Sequence, residues 1–272
     1  MAHGGYRFAD KSQAGDVFHE FQRSHNTAYT EFGVPSTASV ELLKKIIPED
    51  ELFPINNTKS WDTHHACNKR GGGDWLCPET LRYYFGEPTC LEDVVEQSNW
   101  LQCAGYQAAF EEMRKQWPHC GMMLNWCYNE PWITAANNSI ISYPAIPKPS
   151  YEYVKSAMRP ALFSARISKF DWKAGELFEA ELWLLNDTHE AISGKVHARL
   201  QVGDETVELL DWNATAEENA NMQGPTVRWI LPNVEADKLT LTLESENGMS
   251  NSYTIKYYPK KKSAPKPKLL NQ

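Results

Sequence analysis

The chain has 272 residues, of which 42% are hydrophobic, 12% aromatic and 23% charged. That composition suits a globular protein with two modest cores and excludes collagen, a coiled coil or a disordered chain. The formal charge is −8; the stretch from Pro259 to Gln272 carries five lysines and no acid, so without those five charges the rest stands at −13. A folded basic face for nucleic acid is therefore not expected, and no run of eighteen apolar residues exists to span a bilayer.

In chain order, Met1 to Arg7 lacks the apolar core of a secretory signal. Either the protein is cytoplasmic or its true beginning lies elsewhere, in which case a full-length protein could be periplasmic or secreted, so the compartment is left open. The segment Asn26 to Ser36 reads as an apolar-flanked strand that ends in Glu31 and is broken by Gly33, Pro35 and Ser36. In α/β barrels such a position, at the C-terminal end of a strand, faces the active site, where a carboxylate can act as nucleophile or base. Taken bare, strand-Glu-x-Gly is equally consistent with a structural carboxylate.

Ser39 to Ile47 has apolar residues at helical spacing and stops at Pro48, which cannot continue a helix interior. Leu91, Val94, Val95, Leu101, Ala104, Ala108 and Phe110 predict a long amphipathic helix closing before Pro118. The run Gly121 to Trp126 predicts a short buried parallel strand. The loop after it, Trp126-Cys127-Tyr128-Asn129-Glu130-Pro131-Trp132, has the residue types of sugar binding. Indole faces stack on a pyranose, while amides and carboxylates take its hydroxyls. Aromatic core packing is the competing explanation. Pro149 to Met158 reads as one more helix with proline at its start.

From about Leu162 the period changes to two. Segments near 162–169, 176–186, 194–202, 205–212, 225–231, 238–245 and 252–258 alternate apolar and polar residues, with turn signals between them. Seven short strands in under a hundred residues predict an antiparallel β-sandwich of Ig-like size. Trp172, Trp183, Trp212 and Trp229 are expected in core or edge packing. The tail from Pro259 is too poor in apolar residues to offset its ordering entropy and is expected to be a solvated extension.

All six cysteines fall between Cys67 and Cys127, with no C-x-x-C among them. His64-His65-x-Cys67 could supply zinc ligands, but the pattern is weak and loop or core residues are the simpler expectation. No metal and no cofactor are expected. The sequons at Asn56, Asn137, Asn186 and Asn213 are as frequent as chance and decide nothing about compartment.

Taken together, Thr30-Glu31-Phe32-Gly33, Pro48-Glu49-Asp50, the Trp61, His64, His65 segment, the long helix, Trp126-x-x-Asn129-Glu130-x-Trp132 and Lys148-Pro149-x-Tyr151 resemble a known family. The order is similar to the C-terminal part of a family 2 glycoside hydrolase, of the β-mannosidase-like branch. The resemblance covers roughly residues 3 to 165 by motif and the sandwich by position only. It implies a partial (β/α)8 TIM barrel, strands seven and eight, over residues 1–160. An Ig-like sandwich follows over 161–258, then a basic tail over 259–272. It implies Glu31 as the nucleophile of a retaining mechanism, with Trp126, Asn129, Glu130 and Trp132 binding substrate, a β-linked oligosaccharide or glycoside. The loop departs from the family's Trp-Gln-x-Asn-Asp-x-Trp-Pro at Cys127, Glu130 and Ile133, which puts the sugar in doubt more than the reaction class.

A full barrel takes about 250 residues, whereas about 160 are left here beside the sandwich. The family's acid/base, the Glu of an Asn-Glu pair after strand four, has no counterpart upstream of Glu31. The single Asn-Glu pair, Asn129-Glu130, follows Glu31 by 99 residues. Glu130 is therefore assigned to hydroxyl binding or to loop structure rather than to acid catalysis. The expectation is a C-terminal segment of a longer enzyme, inactive alone, which self-associates or pairs with a missing N-terminal half. An opened barrel exposes strand edges and apolar faces, each 100 Å² of which forgoes about 2.5 kcal/mol of burial. The alternatives are a non-catalytic carbohydrate-binding or scaffold protein, and an interaction module that docks through the open edge.

Overall fold

The computed structural model describes residues 1–3, 5–10, 15–55, 58–64 and 75–260. The lysine-rich stretch after Lys260, and with it the expected solvated tail, lies outside them, as do His65 and Cys67.

Three parallel strands lie in the order β1 (Ala2–His3), β2 (Ala28–Phe32), β3 (Met122–Asn125). Between the first two runs helix α1 (Val17–Arg23); between the second and third run α2 (Val40–Ile46), α3 (Lys59–Thr63), α4 (Pro78–Phe85) and the long α5 (Leu91–Lys115). Parallel neighbours need such helical crossovers, since no tight turn can bring a chain back to the same end of a sheet. Capping sets the boundaries: Ser39 accepts from the Leu42 amide to open α2, and Asp16 accepts from the His19 amide to open α1. Helix α5 stops after Lys115, ahead of Pro118. Helix α6 (Ser150–Ala157) begins at Pro149.

Strand β3 is parallel, but it is not the buried strand that its apolar run predicted. Met122 and Leu124 are 40% and 52% exposed. A parallel strand reads as continuously apolar when both of its faces are covered. Here one face of β3 has no cover among the described residues. The partner strand β1 is only two residues long, too short to leave a periodic signal, and was not anticipated from the sequence.

The C-terminal part holds eight strands: β4 (Ala161–Ile167), β5 (Asp171–Lys173), β6 (Leu177–Asn186), β7 (Ile192–Val202), β8 (Glu205–Ala216), β9 (Met222–Ile230), β10 (Lys238–Glu244) and β11 (Asn251–Tyr258). They form two sheets, β4-β6-β9 and β5-β11-β10-β7-β8, antiparallel except where β5 pairs with β11. The alternation that marked these segments becomes alternation of burial: in β10, Leu239, Leu241 and Leu243 are fully buried. Trp172 and Trp183 are buried, whereas Trp229, on the edge strand β9, is 41% exposed.

One contiguous hydrophobic core runs through both parts. At the seam Phe170, between β4 and β5, sits among Phe8, Tyr84 and Trp100 with ring centroids 5.0, 5.2 and 5.7 Å away. Beside this aromatic contact lies a buried polar one. Glu111 of α5 accepts from the hydroxyls of Ser164 and Tyr253 and from the Asn251 amide, and its carboxylate lies 3.8 Å from the Lys115 ammonium. Both charged groups are fully enclosed, so each depends on the other for compensation. Substituting Glu111→Ala should therefore cost about 3–5 kcal/mol, because it leaves a buried ammonium unpaired. Urea unfolding followed by circular dichroism checks this, and a change under about 1 kcal/mol would show that the network carries no weight.

Candidate active site

Glu31 stands next to last in β2, at the C-terminal end of the middle parallel strand. Its side chain is 23% exposed. The segments around it are locked by backbone bonds: Gly33 N donates to Gly5 O at 2.9 Å, and Trp126 N donates to Phe32 O at 2.7 Å. Gly33 has no alternative, since a Cβ there would come within 2.7 Å of Asn138 Cγ and of the Trp126 carbonyl oxygen. The glycine two residues beyond the carboxylate is thus explained by close approach of the loop that follows β3.

Among the described residues, two groups address the Glu31 carboxylate. The Tyr6 hydroxyl donates to Oε1 in a short hydrogen bond. The His3 ring, hydrogen-bonding distance from Thr30 Oγ1, places Nε2 3.9 Å from Oε1. Burial, then the hydrogen bond to Glu31 and its negative charge, push the Tyr6 hydroxyl up to about 12. Tyr6 therefore stays a proton donor over the whole neutral range. Among the described residues, no hydrogen-bond or ion-pair partner of Glu31 is a carboxyl group.

The loop after β3 comes alongside. The Trp126–Cys127 peptide is cis, and the Trp126 indole is 49% exposed. Cys127 Sγ is 3.8 Å from Asn137 Oδ1; burial raises its thiol, Lys148 opposes that, and the charges of Glu130 and Glu31 add to it. The bond from Trp126 N to Phe32 O brings the two sequence signals, the strand end that bears Glu31 and the aromatic loop, into one neighbourhood. Asn129 is exposed and bridges to Ile141 through its backbone. Trp132 is 39% exposed and stacks against the His64 imidazole, centroids 5.1 Å apart and 25° from parallel.

Glu130 departs from its companions. Its side chain is 1% exposed, and it takes the Lys148 ammonium at 3.3 Å, the Ser139 hydroxyl at 2.5 Å and the Tyr143 amide at 3.3 Å. Of the two roles left open for it, substrate-hydroxyl binding and loop structure, this geometry supports the second, because the carboxylate has no open face. Lys148 also reaches the carbonyls of Ser36 and Asn137. Beneath, Gln102 of α5 accepts from Ser36 and Ser150 and donates to the Val34 and Ser139 carbonyls. Burial lowers the Lys148 ammonium and the charge of Glu130 raises it again.

Sequence reasoning missed Tyr6, because no motif surrounds it, and Gln102, which looks like one more polar residue of an amphipathic helix. Among the described residues no three His, Cys, Asp or Glu side chains gather as a metal site. Of the weak His64-His65-x-Cys67 pattern, His64 Nδ1 bonds the Ile133 carbonyl at 2.9 Å, and His65 and Cys67 lie outside the described residues. Among the described residues, Cys90, Cys103, Cys120 and Cys127 are free thiols. No described helix is long and apolar enough to cross a membrane.

No protein-family model matches the chain, and no curated protein matches it. Solved structures do. The fold is similar to that of a β-D-mannosidase from Dictyoglomus thermophilum, with a TM-score of 0.69 and 19% identity over 94% of this chain and 30% of the other. It is also similar to the exo-chitosanase CsxA of Amycolatopsis orientalis, solved with a glucosamine glycoside, with a TM-score of 0.67 and 16% identity over 93% and 30% of the two chains. A further structure of that exo-chitosanase gives 0.64 and 18% over the same shares. The protein thus resembles the family 2 glycoside hydrolases of β-mannosidase-like type in fold, and it spans about 30% of the length of the chains it matches.

Two measurements test the site. In Glu31→Gln the Tyr6 hydroxyl should fall from about 12 part of the way toward its ordinary value of 10.0, burial being the largest cause that remains. Phenolate absorbance against pH, with Tyr6→Phe to identify the group, reads this; an unmoved titration would mean that the contact is weak. Lys148→Met strands a buried carboxylate and should cost about 3–5 kcal/mol in thermal or urea unfolding, most of it recovered in Lys148→Met with Glu130→Leu. Equal stability of the single and double variants would count against the pair.

Proposed function

We propose that this chain is the C-terminal segment of a retaining exo-β-glycosidase of β-mannosidase-like type. Residues 1–160 would be the last portion of a (β/α)8 barrel, 161–258 an Ig-like sandwich and 259–272 a basic extension. The observation that carries the reading is Glu31, half-buried at the C-terminal end of the middle parallel strand, with the Tyr6 hydroxyl donating to it and exposed Trp126 in the adjoining loop. A glycosidase nucleophile needs a carboxylate that is ionised, held in one orientation and partly screened from water.

In the mechanism, a Glu31 oxygen attacks the anomeric carbon and forms a glycosyl ester while the bond to the departing oxygen breaks. A second carboxyl about 5 Å away gives that oxygen a proton and then takes one from the water that cleaves the ester. This second group would come from polypeptide outside the chain. Tyr6 keeps the attacking carboxylate in place, Trp126 and Trp132 supply stacking faces, and exposed Asn129 offers an amide to a hydroxyl. Glu130 acts as the clasp of the loop. The polypeptide that supplies the acid would also cover the exposed face of β3, which makes the missing half, or a second copy, the natural partner.

A second reading is glycan binding without catalysis. It is favoured by the exposure of Trp126, Tyr128, Trp132 and Tyr143 in one stretch of chain.

The chain should show no turnover of aryl β-mannosides or aryl β-glucosaminides alone. Full turnover by the chain alone, abolished by Glu31→Gln, would refute the external acid. Glycan binding that survives Glu31→Ala and fails in Trp126→Ala, with no turnover in any longer polypeptide, would favour the second reading.

A further inference from the structure

His3 and Glu31 are register partners on the adjacent parallel strands β1 and β2, which sets the imidazole beside the carboxylate. The hydrogen bonds around it fix which ring nitrogen holds the proton. The Thr30 hydroxyl has one proton and gives it to the Ala2 carbonyl at 3.0 Å. Thr30 Oγ1 can then only accept from the imidazole, whose Nδ1 lies 3.3 Å away, so Nδ1 is the protonated nitrogen. In the neutral ring the other nitrogen, Nε2, is left as an acceptor. It lies 3.9 Å from Glu31 Oε1, on a side chain that is 68% exposed, and it has no hydrogen-bond donor among the described residues.

An unprotonated ring nitrogen and a carboxylate oxygen are both acceptors, so neither can satisfy the other and the pair calls for a donor from outside. Glu31 Oε1 already receives the Tyr6 hydroxyl, which leaves Nε2 as the acceptor still to be served. In the proposed reaction the carboxylate meets the anomeric carbon, and the nearest sugar group with a proton to give stands on the neighbouring carbon, C2. The bond to Thr30 orients the ring before any ligand arrives, so little side-chain entropy is lost on binding. We propose that His3 is a specificity-determining residue whose Nε2 accepts the C2 hydroxyl of the glycoside, so that the site selects sugars by the group on that carbon. The proposal rests on Glu31 facing a glycoside and adds a selecting contact to that reading.

A cycle that removes each partner of this contact in turn provides the test. The probes are methyl β-D-mannopyranoside and its 2-deoxy counterpart at millimolar concentration, and the readout is the Trp126 indole N–H signal in heteronuclear NMR, identified with Trp126→Phe. The wild type should bind the 2-deoxy glycoside about fivefold to tenfold more weakly than the mannoside, the worth of one hydrogen bond. In His3→Ala, which removes an exposed side chain and leaves the core intact, the mannoside should fall to the level of the 2-deoxy glycoside, whose own binding should be unchanged. A variant that keeps the preference for the mannoside overturns the proposal, and so does an equal loss for both probes, which would mark a purely structural role. The imidazole nitrogen signals at about pH 8, above the ordinary imidazole range, should show Nε2 unprotonated in the free chain and shifted by the mannoside alone. A protonated Nε2 there would mean an ion pair with Glu31 and overturns the acceptor role. A mannoside that moves Trp126 equally in wild type and His3→Ala overturns the His3 assignment while the glycoside reading stands; no shift at Trp126 or at His3 overturns both.

Discussion

The arrangement around Glu31 depends on a small volume of buried polarity behind it. Glu130 and Lys148, both almost wholly enclosed, hold each other at 3.3 Å, and Gln102 ties the segment after β2, the loop after β3 and the start of α6 to one helix. Charges in such a place add little net stability against apolar residues of the same size, yet they tolerate only one geometry, since every misplacement leaves a charge uncompensated. That intolerance fixes the loop after β3 in one position. Trp126, Asn129 and Trp132 can stay exposed because the residue between them is anchored beneath.

A second constraint concerns the sheet. Three parallel strands with helices packed against them make a stable layer only on the covered side, and Met122 and Leu124 mark where cover stops. The antiparallel sheets offset part of this deficit by adding Phe170 to the aromatic cluster of α4 and α5. The long helix α5 therefore faces three ways: toward the strands, toward the loop clasp through Gln102, and toward the antiparallel sheets through Glu111.

Local patterns carried much of this into the sequence. The helices from Ser39 and from Leu91, the helix after Pro149 and the seven alternating segments all lie within a few residues of their expected places, because caps, prolines and periodicity act over short distances. The place of Glu31 at a strand end was legible because a glycine and a proline follow it closely. What stayed hidden was long-range. Gln102 meets Ser36 across 66 residues, Tyr6 meets Glu31 across 25, and no spacing rule connects them. The exposure of β3 was hidden for the opposite reason: an apolar run is the same text whether its cover is present or absent.

The insertion of Phe170 limits how the polypeptide can be shortened. A cut near residue 160, made to isolate the half that carries Glu31, would pull one ring out of a nest formed by Phe8, Tyr84 and Trp100 and leave an empty hollow lined with aromatic edges. Proteins do not keep such hollows open in water without loss of order. Whoever trims this molecule should set the boundary beyond that ring, and should treat the stretch that bears it as part of the scaffold of the half that carries Glu31.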